Sequence, residues 1–528
     1  MTAIEFGRIQ PRSVAMQHWE LAHPNAGSGN YVLSGWLFLR VLGLIYLAAF
    51  VSLATQIKGL VGSHGILPAR GFLLAKQNWG PTRFLQIPTL GWWNSSDGFL
   101  RFLCWGGAAL ALLLVVDVAP IPVLIVLWAF YLSLFSVCRI FLGYQWDILL
   151  LETGFLAIFI APFGLLPVFP PTTAPSKIIL WLVWWLAFRL MFSSGFVKWR
   201  SGDGNWRHFT ALSHHYETQP LPTWTAWYVH QLPGWFHKLS VVVMFTIELV
   251  APVFVFMPPP FSYISGAAFV FLMLLIMATG NYCFFNLLGI ALSVLLFDDA
   301  CWLPLFKKLS PDVQFAAAAT ISTGWPIWAT IPVALILALL SAEVICRLLR
   351  LRIRWPKPLE KLTEWLEPFR LVNGYGLFAV MTTERPEIIV EGSDDGVAWH
   401  AYDFKCKPGD VHRRPRFIAP HQPRLDWQMW FAALSDYPST PWFHQFLLRL
   451  LGNSPDVLAL LRRNPFPDKP PRFVRAVVYD YRFTDFAGKR ATGAWWRRER
   501  RGLYTPVLSL PGLTSEKLVL DDEDGLMD

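Results

Sequence analysis

The residues best suited to chemistry fall in one stretch, residues 188–222, which reads FRLMFSSGFVKWRSGDGNWRHFTALSHHYETQPLP. It leaves an apolar run that carries Arg189 and Lys198, then becomes a loop dense in Trp, His and Gly. Lys198, His214, His215 and Glu217 form the candidate acid–base set. Imidazoles change charge near neutral pH, and a desolvated lysine with a depressed pKa acts as a base or nucleophile. The same residues have plainer uses. A lysine at a membrane edge snorkels its ammonium to water, and neighbouring histidines on a loop serve in hydrogen bonding or partner contact. Their spacing matches no metal-ligand signature, so neither a metal site nor a cofactor is expected. The GxSxG, HExxH, P-loop and dinucleotide patterns do not occur in the sequence.

Further polar groups lie deep in apolar runs. Glu152 stands 18 residues before Pro170 and Arg189 stands 19 after it, with Pro170 near the middle of the connector PFGLLPVFPPTTAPS. If the flanking runs are antiparallel helices of equal rise, the two charges share a depth. A lone charge at mid-membrane costs about 2.5–3.5 kcal/mol, so an ion pair is expected. That pair serves either helix register or function. Asp147, nearer the interface, is expected to meet a loop group, and Glu248 has no evident partner. Asn281 and Asn286, in TGNYCFFN, interrupt two apolar runs and need partners across helices or in a wet cavity.

These groups require helices to hold them. The 528 residues are 54% hydrophobic, 16% aromatic and only 15% charged, against about 25% charged in soluble chains. That balance excludes a water-soluble enzyme and points to a polytopic membrane protein. The 27 Trp and 41 Phe fit interfacial belts, for which Trp206, Trp224, Trp227 and Trp235 are candidates. The net charge of +9 suits membrane lipid headgroups, and no nucleic-acid motif accompanies it. The six cysteines include no CxxC, so no disulfide framework is expected. The first thirty residues hold no apolar h-region, leaving targeting to the first span.

Runs of about 20 apolar residues occur at 32–54, 100–118, 120–143, 145–164, 176–199, 237–257, 261–280, 283–302 and 325–349. Two adjacent pairs are split only by Pro or by Gly-Asn, which gives about seven to nine spans. The expected layout is an N-terminal tail over 1–31, a transmembrane helical bundle over 32–350, a basic juxtamembrane linker over 351–372, a soluble α+β domain over 373–510 and an acidic tail over 511–528. In the soluble part, residues 377–382, 387–392, 398–404, 473–483 and 500–510 read as strands, and 427–434, 442–451 and 456–463 as helices. With nine spans, the first loop, the Lys198–Lys238 loop and the C-terminal domain share the side richest in Lys and Arg. The positive-inside rule would make that side cytoplasmic.

Several strings resemble the lipase maturation factor family: GLVGSHGILPA (59–69), GYQWDILLLETGFLAIFIAP (143–162), FRLMFSSGFVKWRSGD (188–203), HYETQPLP (215–222), TGNYCFFNLL (279–288), NGYGLFAVMTTERPEIIVEGSDDGVAW (373–399) and RRPRFIAPHQPRLDWQMWFAAL (413–434). The resemblance runs in order from about residue 30 to 510. It implies a multipass protein of the endoplasmic reticulum membrane, or of the plasma membrane in a bacterial member. It further implies a factor that helps secreted lipases or related clients fold, with residues 373–510 as the client-contacting part, lumenal in eukaryotes. The membrane half is also distantly similar to the membrane region of the vitamin K–dependent carboxylase. That likeness keeps open an enzyme acting on a lipid or quinone-like substrate.

Overall fold

The computed structural model describes residues 29–311 and 322–510. Most of the expected N-terminal tail, and the acidic tail, lie outside the described residues. Seven described helices are long and apolar enough to cross a membrane: Val32–Ala54, Asp97–Val115, Pro120–Phe141, Lys177–Ser201, Gly234–Phe256, Phe261–Thr279 and Ile327–Leu349. The chain is an α-helical polytopic membrane bundle with a C-terminal α+β part.

Two of the nine expected spans take other forms. The first is Gln145–Ile160, of 16 residues. At 1.5 Å per residue it is about 24 Å long, short of the roughly 30 Å hydrocarbon core. It does not need to match the bilayer, because most of its side chains are buried by protein. The second is Phe285–Val294, which continues into Asp299–Leu309 across a 99° bend. Asp298 starts the new helix by accepting from the Ala300 N–H at 3.0 Å. The Asp299 carboxylate turns back to accept from the backbone N–H groups of Val32, Leu33 and Ser34. Those are unpaired donors of the first span's opening turn, so the bend caps another helix.

The Gly234–Phe256 span is not uniform. It is α-helical to Phe245, π-helical over Thr246–Val250 and 3-10 over Ala251–Phe256. Pro252 lies at the change; it has no N–H and cannot continue an α-helical ladder. Glu248 sits on the π turn.

The stretch expected as a loop after Lys198 is instead a chain of short helices, Gly204–Arg207, Ala211–Thr218 and Trp224–His230. Its Trp residues do not all form a belt. Trp206 and Trp227 are buried, and Trp227 packs edge-on against Trp495 and Phe486, whereas Trp235 is 67% exposed.

Beyond the last span, a four-stranded antiparallel sheet orders His400–Ala401, Pro386–Ser393, Phe473–Phe483 and Trp496–Leu503. Helices Arg424–Ala433 and Pro441–Leu451 accompany it. Residues 377–382 form no strand: Gly376 and Phe378 have φ of 149° and 54°, which break extension. The expected helix over 456–463 stops at Leu458, and Leu461–Arg463 pairs as a strand with Asp403–Phe404. The last strand begins earlier than expected, at Trp496.

The C-terminal part does not hang free. Ile388, Val390, Leu425, Trp427, Phe443 and Phe446 belong to the same continuous apolar core as Phe38, Tyr46 and Leu127 of the spans. Gly59 lies so close to this part that a Cβ would stand 2.4 Å from the Asp456 carbonyl oxygen.

Candidate functional site

Polar side chains of the bundle meet the C-terminal segment in a buried seam. Glu152 is paired with Arg189 at one oxygen. Its other oxygen accepts from the Asn373 backbone N–H at 2.9 Å, the Asn373 side chain at 3.0 Å and the Tyr375 hydroxyl at 2.7 Å. Arg189 also donates to the Asn373 carbonyl at 2.9 Å. Five residues earlier on the same helix, Asp147 accepts from Arg424 at 2.9 and 3.0 Å and from the Tyr131 hydroxyl at 2.5 Å. Both members of the Asp147–Arg424 pair are fully enclosed. Asp147 therefore meets a helix of the C-terminal part, not a loop group.

Asn281 completes the seam. Its amide donates to the carbonyls of Leu221 and Arg416, and its oxygen accepts from Ile418 and Ala419 N–H groups. Asn286 differs: it is buried, and neither polar side-chain atom has a hydrogen-bond partner among the described residues. Arg424, Asn373, Tyr375 and Gln422, which accepts from Trp146 Nε1 at 2.7 Å, were not singled out by sequence reasoning. The apolar runs hold other cations, Arg40 and Arg139 among them, so nothing in the sequence marked Arg424 as the partner of Asp147.

Lys198 and Glu248 are each other's partner. The ammonium lies 2.7 Å from both carboxylate oxygens, and both side chains are buried. Lys198 does not snorkel to water, and Glu248 is not partnerless. Gly195, one turn before Lys198, lets the two helices meet; a Cβ there would stand 2.9 Å from the Glu248 Cβ. The Lys198 ammonium also faces the Trp206 ring at 5.6 Å.

This pair lines a cavity of about 430 Å³ with His215, Tyr282, Met244 and Phe378 among its walls. His215 Nε2 lies 3.2 Å from the Tyr282 hydroxyl, which also bonds Gln219. Burial, and secondarily the Lys198 charge, pull the His215 pKa from 6.5 down to about 4, so the imidazole is neutral at physiological pH.

The expected acid–base set is divided by helix geometry. His214 and Glu217 are three apart on the Ala211–Thr218 helix and share a face. They line a separate polar crevice with His230, Arg482 and Arg497. There Glu217 accepts from the Phe483 N–H at 2.9 Å and lies 3.7 Å from His230. His215 points the other way, to Lys198's cavity. Among the described residues, no group of three or more His, Cys, Asp or Glu is placed to hold a metal.

Residues 33–303 match the family model described as the lipase maturation factor transmembrane domain, and residues 371–506 match the lipase maturation factor C-terminal domain. Lipase maturation factor 1 of Bos taurus is 36% identical over 514 residues, covering 91% of this chain and 90% of that protein. Lipase maturation factor 2 of Gallus gallus is 37% identical over 601 residues, covering 93% and 83%. Lipase maturation factor 1 of Homo sapiens is 34% identical over 525 residues, covering 92% and 89%. No solved structure matches.

Proposed function

The chain belongs to the lipase maturation factor family, and from that premise we propose that it assists the folding or assembly of secreted lipases or related clients. On this reading residues 32–350 are the membrane half, 351–372 the linker and 373–510 the part that meets the client. The observation that carries it is the seam. A buried ion pair and buried hydrogen bonds hold the C-terminal part against one end of the bundle, which makes it a firm platform at the membrane surface.

A secreted client reaches that platform from the lumen, so we place the C-terminal part on the lumenal side of the endoplasmic reticulum membrane in a eukaryotic cell. Its positive charge does not oppose this. The charge rule counts solvated cations in short loops near the spans, and long domains translocate regardless of charge. Some cations here are offset inside the protein: Arg424 by Asp147, and one of the Arg385 and Lys407 charges by the Glu387 carboxylate that they share.

The test is co-expression of the full chain with a secreted lipase in cells lacking their own maturation factors. Secreted lipase activity per lipase molecule is expected to rise, and the lipase to be co-captured with the full chain. Unchanged specific activity, with the chain accumulating normally, would sink the reading.

A further inference from the structure

The Lys198–Glu248 cavity has features that platform building does not require. Its volume of about 430 Å³ lies within the roughly 300–1,000 Å³ typical of small-ligand sites. Its walls are mainly apolar, and it reaches the lipid-facing surface between the Gly234–Phe256 and Phe261–Thr279 spans. Leu239, Val243, Phe271 and Leu275 of those two spans line the cavity and are also exposed. An occupant can therefore enter sideways from the acyl-chain region.

The polar groups of its lining include Lys198 and Glu248, bonded to each other, and His215 and Tyr282, bonded to each other. Their charges cancel. Both Glu248 oxygens are within hydrogen-bond distance of the one ammonium, and the imidazole beside it is uncharged. A carboxylate or phosphodiester head would need a free cation, and among the described residues the one cation lining the cavity, Lys198, is already matched. Hydroxyl and ester groups need only donors and acceptors, which these groups supply. Glu248 also stands on a π-helical turn, a distortion frequent at functional sites.

We propose that this cavity binds one uncharged amphiphile drawn laterally from the bilayer, its acyl chain along the apolar walls and its hydroxyl- or ester-bearing head against Lys198, Glu248 and His215. The proposal concerns the membrane half and does not depend on which client the platform serves.

The test uses the full chain in phosphatidylcholine nanodiscs with a monoacylglycerol carrying a diazirine in its acyl chain. After illumination, adducts are expected on cavity-lining residues of 234–256 and 261–279, saturating with probe concentration. Met244→Trp fills the cavity, and Ser240→Phe narrows it from one turn away. Each is expected to lower the adduct yield about ten-fold or more, while Leu112→Trp, on a lipid-exposed face elsewhere, leaves it unchanged. Excess unlabelled monoacylglycerol is expected to compete, and the ionised fatty acid of equal chain length is not. Adducts that grow linearly with probe, or that ignore both filling variants in protein that remains monodisperse, would overturn the site. Equal competition by the fatty acid would overturn the uncharged head.

Discussion

Three buried ion pairs, Asp147–Arg424, Glu152–Arg189 and Lys198–Glu248, differ in what surrounds them. Asp147–Arg424 is closed on every side, and its carboxylate oxygens and terminal guanidinium nitrogens are bonded to Tyr131 and the Phe141 carbonyl as well as to each other, leaving Arg424 Nε without a partner among the described residues. Glu152–Arg189 is similarly wrapped by Asn373 and Tyr375. Lys198–Glu248 is also buried, but it borders open space that reaches the lipid. A charge pair enclosed by protein on every side works as a fastener. A pair facing a cavity leaves capacity for a ligand.

This contrast orders the expected effects of mutation. The largest belongs to Arg424→Leu, which strands Asp147 in the interior. Removing one member of a buried pair costs about 3–5 kcal/mol, so the folded protein should fall sharply in abundance and in thermal midpoint, measured by fluorescence-detected size exclusion in detergent. The double variant Asp147→Leu/Arg424→Leu should recover part of the loss, and a silent single variant would break the fastener reading. Next is Lys198→Met. Glu248 loses its cation beside a cavity that can admit other polar groups, so the cost should be lower, about 1–3 kcal/mol. A loss equal to that of Arg424→Leu would erase the distinction between the two pairs.

A smaller effect should come from His215. Its folded pKa of about 4 lies below the ordinary 6.5, so between those values the unfolded chain binds more protons than the folded one. Stability from this group is therefore full above pH 6.5 and declines as pH falls toward 4. The thermal midpoint should drop over that window, and His215→Phe should shallow the slope. A slope unchanged by the substitution would mean that the ring is not held neutral in the cavity wall. The smallest change is expected for Lys58→Ala. It removes the 2.7 Å pair with Asp456, but the lysine side chain is 40% exposed, so the loss should stay within about 0–1 kcal/mol. A loss as large as that of Lys198→Met would show that seam contacts at the rim matter as much as enclosed ones.

The candidate site was only partly legible before the fold was known. Equal distances from Pro170 put Glu152 and Arg189 at one depth because a single connector joins their helices. The same arithmetic does not connect Lys198 to Glu248, since the stretch between Ser201 and Gly234 folds as separate short helices of its own. His214, His215 and Glu217 read as one cluster while that stretch was taken as a loop. Once it is helical, positions 214 and 217 face one crevice and 215 faces the other.

Membrane class, the long spans and the paired strands Pro386–Ser393 and Phe473–Phe483 follow from the chain alone, because hydropathy and its period are properties of each segment by itself. The partner of each buried charge is not such a property. Arg424 meets Asp147 across 277 positions and Lys198 meets Glu248 across 50. Only the packed bundle, with the C-terminal part pressed onto its end, determines which polar groups share a low-dielectric enclosure and which border a cavity open to lipid.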